Sequence, residues 1–373
     1  MEKAGIEIDW KKRLKSTGLG DIHTKVLNSG RLSFEDGVTL FKSSDLNSVG
    51  YLANIVRERK NGNIAWFIRN QHINHTNICR NQCRFCAFYR RKDQDGAYQM
   101  TLEEIFAAVK RERDKPICEI HIVGGLNPDL SFEFYLKMLL GIREIRPDVH
   151  IQAFTCVEVA WLAEQAGNSL EAALTALKEA GLGSIPGGGA EVFSERLRKD
   201  YWNRKLSGDE WLRVAGTAHR LGIPTNATIL YGHLETTEER VNHLVRLREQ
   251  QDKSGGFKAF IPLAFHSDNT ELKDIPPTHG SDDLMMLAVS RLMLDNFDHI
   301  KAFWVMLTPQ LAALSLSYGT DDIDGTVTEE KITHMAGART PSALTVDELI
   351  SLIRVAGREP VERDTLYNKI RQY

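Results

Sequence analysis

The chain has 373 residues, 42% hydrophobic and 26% charged, with a formal net charge of −3, enough for one large barrel or two medium domains. That balance excludes the clustered Lys and Arg that nucleic-acid phosphates demand, and no apolar stretch reaches the roughly 18 residues of a membrane span. A charged start unlike a signal segment, and five cysteines of which three crowd one short run, fit a reducing, cytoplasmic setting rather than a disulfide framework.

Residues 9–14, 33–40 and 44–59 carry helical patterns before Gly62 ends the run. From Asn63 onward, short apolar runs alternate with helical patterns. The strand candidates are 64–68, 119–123, 150–154, 183–185, 225–230, 259–263, 302–305 and 332–335. Intervening helices open with a hydroxyl and a carboxylate three positions on, as in Thr101 with Glu104 and Thr345 with Glu348, a pair that satisfies free backbone amides reciprocally. Alternating strand and helix predicts a parallel sheet, and eight repeats in about 250 residues is the length of a (βα)8 barrel. The alternative is an open doubly wound sheet, against which no GxGxxG opens the first strand-to-helix turn and no Walker lysine follows a glycine run. The expected organisation is an N-terminal helical extension over 1–62, an α/β barrel core over 63–356 and a C-terminal tail, 357–373, packed on the barrel.

Barrels carry their chemistry at the C-terminal ends of their strands, and the loop after the first strand candidate holds Cys79, Cys83 and Cys86 in CxxxCxxC spacing. Three thiolates hold three corners of a cubane iron–sulfur cluster, which four cysteines normally close. The remaining iron then has room for the amino and carboxylate groups of S-adenosylmethionine (SAM). His75, four residues before Cys79, offers a Cys3His zinc site instead, in a binding protein without turnover. Phe85, Phe88 and Tyr89 favour the cluster, as an apolar wall beside a planar adenine. Cys118 and Cys156 read as buried apolar residues.

The other candidates fall on the same predicted face. Gly124 and Gly125, directly after strand 119–123, expose main-chain groups suited to the SAM amino group; a plain tight turn is the competing reading. Gly187, Gly188 and Gly189 read as a helix N-terminus whose free amides seat a carboxylate, with a flexible loop as the competing reading. Glu158 is placed to accept both ribose hydroxyls, or simply to suit a helix dipole. His233 and His266, after the fifth and sixth strand candidates, are the catalytic candidates, with packed structural histidines as the alternative. Arg196 and Arg198 are suited to pair with carboxylates bidentately, with a solvated helix face as the alternative. Arg80, Arg84, Arg90, Arg91 and Lys92 form a solvated face or a docking surface for an acidic electron-transfer protein.

The stretch 73–90, with His121-Ile122-Val123-Gly124-Gly125-Leu126-Asn127-Pro128, Gly187-Gly188-Gly189-Ala190-Glu191-Val192 and Tyr231-Gly232-His233, resembles the radical SAM superfamily. Within it, the chain resembles the group of menaquinone-pathway and deazaflavin-pathway enzymes. The run from His121 to Pro128, and Tyr318 to Val327 with Glu329-Glu330-Lys331, make it most similar to the aminofutalosine synthases, over about residues 35 to 356. Thr155-Cys156 stands where sister groups carry Ser-Pro. The resemblance implies a [4Fe-4S] cluster on Cys79, Cys83 and Cys86, with SAM as a consumed co-substrate. It also implies a flavodoxin- or ferredoxin-type electron donor and a small substrate with two carboxylates, for which Arg196, Arg198, His233, His266 and the triple glycine are the candidate partners. The implied reaction adds the 5'-deoxyadenosyl radical to 3-[(1-carboxyvinyl)oxy]benzoate, with rearrangement and decarboxylation to 6-amino-6-deoxyfutalosine. The alternative relatives are the dehypoxanthine futalosine cyclase and the deazaflavin synthase, in which that radical abstracts hydrogen.

Overall fold

The barrel wall begins with a strand interrupted once: β1 (Ile64–Ile68) and β2 (Asn70–Ile73) lie on either side of Arg69. The computed structural model describes residues 8–373; residues 1–7, the start of the expected N-terminal extension, lie outside the described residues. β2 runs parallel to β3 (Glu119–Ile122), with His72 opposite His121, and β3 parallel to β4 (His150–Ala153). Single bridges, Gln152 to Ser184 and Ile185 to Thr225, carry the wall through 183–185 to β5 (Thr225–Tyr231). β5, β6 (Phe257–Ala264) and β7 (His299–Ile300) are parallel neighbours. A bridge from Lys301 to Asp322 leads to β8 (Asp322–Gly325), which pairs parallel with β1, while Thr328 bridges Gln71 and closes the ring. The (βα)8 barrel is therefore the fold.

Two strand expectations need correcting. The seventh strand is β7 rather than 302–305, and Trp304–Leu307 is a helical turn. The eighth is β8, and Ile332–Met335 is a short helix. The cause is the same in both places: the true strands carry polar residues into the barrel, Lys301 beside β7 and Asp322 and Asp324 on β8, so no apolar run marks them. The apolar tetrads beside them instead pack as helix turns, and Trp304 Nε1 donates to the Gly325 carbonyl at 2.8 Å.

The helices follow their sequence signals closely. Capping boxes form at Thr101 with Glu104 and at Thr345 with Glu348. In the helix Phe132–Ile145 the buried side chains Tyr135, Met138, Leu139 and Ile142 recur at helical spacing and make one face. At the N-terminal side, helices Trp10–Ser16, Gly20–Leu27, Phe34–Lys42 and Leu46–Asn61 lie ahead of β1. Arg57 of the last is fully buried and donates to the Thr320 carbonyl at 3.3 Å, which ties this layer to the approach to β8. At the other end β9 (Glu359–Arg363) pairs parallel with β1, and β10 (Lys369–Gln372) folds back antiparallel. This hairpin inserts Arg363 under the barrel, its Nε 2.6 Å from Asp322 Oδ2.

Candidate active site

A cavity of about 340 Å³ is lined by Cys79, Cys83 and Cys86 together with residues from across the barrel. The cysteine loop is held by the polar residues that precede it. Thr76 Oγ1 donates to the Tyr98 carbonyl at 2.8 Å, while the Asn77 side chain accepts from Tyr98 N at 2.8 Å and donates to the Gly96 carbonyl at 2.9 Å. Cys79 N donates to the Arg90 carbonyl at 3.1 Å, so both ends of the loop are pinned together. From the other side the loop after β3 presses in so closely that a Cβ on Gly125 would lie 2.2 Å from the Ile78 carbonyl oxygen. Only glycine permits that approach.

The donor set fits a cubane better than a single ion. Among the described residues no three His, Cys, Asp or Glu side chains converge on one point, whereas a cluster's cysteines each bind a different iron. His75, the fourth ligand of the zinc alternative, lies outside the cavity lining. It is fully buried with its ring edge-on to Tyr135 at 5.5 Å, and burial pushes its pKa down to about 4.

Gly124 and Gly125 line the cavity beside the cysteines. Their amides are engaged, Gly124 N with Glu158 Oε1 at 3.0 Å and Gly125 N with the Thr76 carbonyl at 2.9 Å. Their carbonyl oxygens take no hydrogen bond among the described residues and suit a donor such as an ammonium. Glu158 also lines the cavity, but it serves as the buried cap of helix Cys156–Gln165, its Oε2 accepting from Thr155 N at 2.7 Å. Burial pushes its pKa up to about 7, against the opposing pull of the two amides. The folded carboxyl thus holds its proton above the ordinary 4.5. The resulting stabilisation is complete below about pH 4.5 and is lost as pH rises through about 7, a total of about 3 kcal/mol. Glu158→Gln is expected to flatten this segment. Denaturant midpoints from pH 5 to 7 should fall more steeply for the unaltered protein, and parallel curves would contradict the burial account.

The triple glycine departs from expectation. It is not a helix N-terminus: the next helix is Glu195–Tyr201, capped by Ser194. Gly187 instead lies flat against β5, where a Cβ would lie 2.1 Å from the Asn226 carbonyl oxygen, while Gly188 and Gly189 face Thr155 and Val157. Gly188 and Gly189 line the cavity and Gly187 does not. Arg196 and Arg198 are also elsewhere. They flank the one buried residue of their short helix, Leu197, and so point outward, Arg196 to Glu239 at 2.9 Å and Arg198 to Glu195 at 2.9 Å. His233 is packed behind the wall between Trp202 and Phe265, its Nε2 on the Leu230 carbonyl at 3.0 Å. Of the two histidine candidates only His266 reaches the cavity, with Nε2 on the Met306 carbonyl at 2.9 Å. Phe85 and Phe88 are both cavity wall.

Several polar cavity residues escaped the sequence reading. Lys205 is half-buried, ion-paired with Glu191, and sits 5.3 Å above the Phe85 ring. Burial disfavours its charge, but Glu191 and the nearby thiols outweigh that and raise its pKa. Deeper in, the rings of His72 and His121 stack 4.4 Å apart and within 8° of parallel. Burial lowers the pKa of both, keeping them neutral. Near them Asn70 Nδ2 donates to Glu119 Oε1 at 3.3 Å, and Lys301 Nζ lies 3.4 Å from Asp324 Oδ1. The available signal was alternation: Asn70, His72 and Asn74, then Glu119 and His121, recur every second residue, the period of one strand face. Around the cysteine loop Arg80, Arg84, Arg91 and Lys92 are exposed, Arg84 paired with Glu271 at 2.8 Å and Lys92 with Asp129 at 2.7 Å, whereas Arg90 is half-buried and donates to the Ala87 and Tyr89 carbonyls at 2.8 Å.

Residues 73–247 match the family described as Radical SAM superfamily, and residues 254–372 match the CofH/MqnC C-terminal region. The chain is similar to the aminodeoxyfutalosine synthase of Thermus thermophilus, 48% identical over 356 residues that cover 94% of this chain and 95% of that one. It is also similar to the 5-amino-6-(D-ribitylamino)uracil--L-tyrosine 4-hydroxyphenyl transferase of Methanopyrus kandleri, 40% identical over 317 residues, 84% of this chain and 86% of that one. Its fold resembles that of methylornithine synthase (PylB), with a TM-score of 0.73 at 18% identity, covering 91% of this chain and 97% of that one. No helix among the described residues is long and apolar enough to cross a membrane. The cofactors of this family are a [4Fe-4S] cluster and SAM. The chain is an enzyme of the radical SAM superfamily and belongs to the branch that contains the aminodeoxyfutalosine synthases.

Proposed function

We propose that this enzyme is an aminodeoxyfutalosine synthase. It would join the adenosyl group of SAM to 3-[(1-carboxyvinyl)oxy]benzoate, with release of methionine and carbon dioxide, to give 6-amino-6-deoxyfutalosine. The observation that carries the reading is the 48% identity to an enzyme of that name over nearly the whole of both chains. The cluster would be held by Cys79, Cys83 and Cys86, and the SAM ammonium by the carbonyls of Gly124 and Gly125. When bound, the cluster supplies the electron that splits SAM into methionine and a 5'-deoxyadenosyl radical.

The chain's own residues then contain and position the reactants. A primary alkyl radical takes hydrogen from almost any neighbour, so selectivity depends on what is held closest. Val123, Leu230, Ile261, Leu263 and Phe265 give the cavity an apolar lining, with Phe303 and Met306 also in its wall; this lining would exclude water. The neutral His72 and His121 rings add a flat wall without charge. A flavodoxin- or ferredoxin-type donor would dock on the exposed Arg80, Arg84, Arg91 and Lys92 beside the cysteine loop.

A second reading, the tyrosine-dependent reaction named for the Methanopyrus relative, is favoured by the 40% identity and by the C-terminal match. A substrate choice separates the two. The reduced, cluster-loaded enzyme is incubated with SAM and either the enol ether dicarboxylate or tyrosine with 5-amino-6-(D-ribitylamino)uracil, and consumption of each is followed by mass spectrometry. The synthase reading expects only the enol ether to disappear. Consumption of tyrosine alone would replace it with the second reading.

A further inference from the structure

We propose that Lys301 binds the ring carboxylate of the substrate at the floor of the barrel, with the stacked His72 and His121 rings as the wall beside it. The proposal rests on the dicarboxylate substrate of the synthase reading and adds the residue that selects it. Two lysines and no arginine line the cavity among the described residues. One of them, Lys205, is already matched by Glu191 and lies beside Cys83 and Phe85. Lys301 is different. It is 7% exposed, and its single partner is Asp324 Oδ1 at 3.4 Å, well beyond the roughly 2.7–2.9 Å of a good charge-assisted bond. An ammonium has three donors, and only one of them has a partner among the described residues, at a position that lines the cavity.

Of the nearby acids only Asp324 comes within hydrogen-bonding reach of that ammonium. Asp322 is taken up by Arg363 and the Tyr367 hydroxyl, at 2.6 and 2.8 Å. Glu119 is drawn first by the charge of Lys301 and then by His121 and Arg363, but its hydrogen bond comes from Asn70 and none comes from the lysine. Asp324 is buried, and burial raises its pKa while Lys301 pulls the other way; its contact with the lysine is a long one. Depth then selects which carboxylate arrives. Gly325, next to Asp324, pairs with Ile68 of β1, whereas the cysteine loop departs only after β2 ends at Ile73. Lys301 thus lies towards the end of the cavity away from the cysteines. In 3-[(1-carboxyvinyl)oxy]benzoate the alkene and its carboxylate must sit near the SAM 5' carbon, which leaves the ring carboxylate pointing to the floor.

The test compares the dicarboxylate with 2-phenoxyacrylate, which lacks the ring carboxylate, on cluster-loaded enzyme, Lys301→Gln and Asp324→Asn. Dissociation constants are read by anaerobic calorimetry, KM and kcat separately, and iron content reports assembly. Unaltered enzyme should bind 2-phenoxyacrylate about ten- to a hundredfold more weakly than the dicarboxylate. Lys301→Gln should lose that factor for the dicarboxylate and none for 2-phenoxyacrylate, and Asp324→Asn should keep the discrimination. Discrimination by Lys301→Gln equal to that of unaltered enzyme would overturn the proposal. If Lys301→Gln fails to load iron, equal binding of the two acids by unaltered enzyme would overturn it by itself, and retained discrimination there and in Asp324→Asn would support it. Binding of neither acid would instead remove the synthase reading, and this proposal with it.

Discussion

Cys83→Ala is expected to yield a folded, colourless protein after anaerobic purification, with production of the adenosylated product at background. Cys83 is buried and lies between the other two thiols in the loop, its carbonyl accepting from Cys86 N at 3.1 Å. Burial pushes its thiol pKa far up, with Lys205 only partly opposing, so binding iron is what makes it a thiolate there. Removing it leaves two cysteine ligands where the cubane expects three in this loop. The loop should keep its shape, because its anchors run through Thr76, Asn77 and Arg90 rather than through the thiols. Far-ultraviolet circular dichroism and the melting temperature should therefore stay close to those of the unaltered protein. Cys118→Ala is the matched control: its Sγ donates to the Arg69 and Arg363 carbonyls at 3.5 Å, outside the cavity, and its colour and turnover should persist. A brown, iron-loaded Cys83→Ala protein would contradict the ligand assignment.

Arg363→Ala is expected to be the most damaging single change to stability, about 3–5 kcal/mol, seen as a lower denaturant midpoint. Arg363 is fully buried, pairs with Asp322, donates to the Asp364 carbonyl at 3.0 Å, and stacks its guanidinium 4.1 Å from the Tyr367 ring centre. Its removal strands the Asp322 carboxylate in the barrel floor with the Tyr367 hydroxyl and the Asp324 amide as remaining partners. An uncompensated buried charge costs more than the pair contributes. The double variant Arg363→Met with Asp322→Asn should therefore be more stable than Arg363→Ala alone. If the single and double variants unfold together, the loss comes from packing and not from the stranded charge.

How far the sequence reads through to this molecule depends on where polar residues sit. Outer helices follow apolar periodicity and hydroxyl-carboxylate caps, so their starts at Thr101 and Thr345 are legible. Strands such as β1 and β6 carry apolar stretches and are legible too. β8 reads Asp-Ile-Asp-Gly, and β7 is two residues long before Lys301; their inward positions serve the cavity, and the apolar signal shifts to neighbouring helical turns. The same logic governs the site. The cysteine spacing is local in sequence and visible, as are the glycines after β3. His72, His121, Lys301 and Asp324 come from four separate stretches of chain, and only barrel closure makes them neighbours. Arg196, Arg198 and His233 misled because residue type and proximity to a strand end say nothing about which side of the wall a side chain occupies.

The proposed reaction places the adenosyl group in the product. The most direct measurement supplies SAM labelled with carbon-14 in the adenosyl group to reduced, cluster-loaded enzyme with 3-[(1-carboxyvinyl)oxy]benzoate, and follows where the label goes. The expected result is one labelled adenosyl group in the decarboxylated product for each methionine released, with little free 5'-deoxyadenosine. Label recovered as 5'-deoxyadenosine in step with methionine, while the organic product stays unlabelled, would contradict it and point to hydrogen abstraction instead.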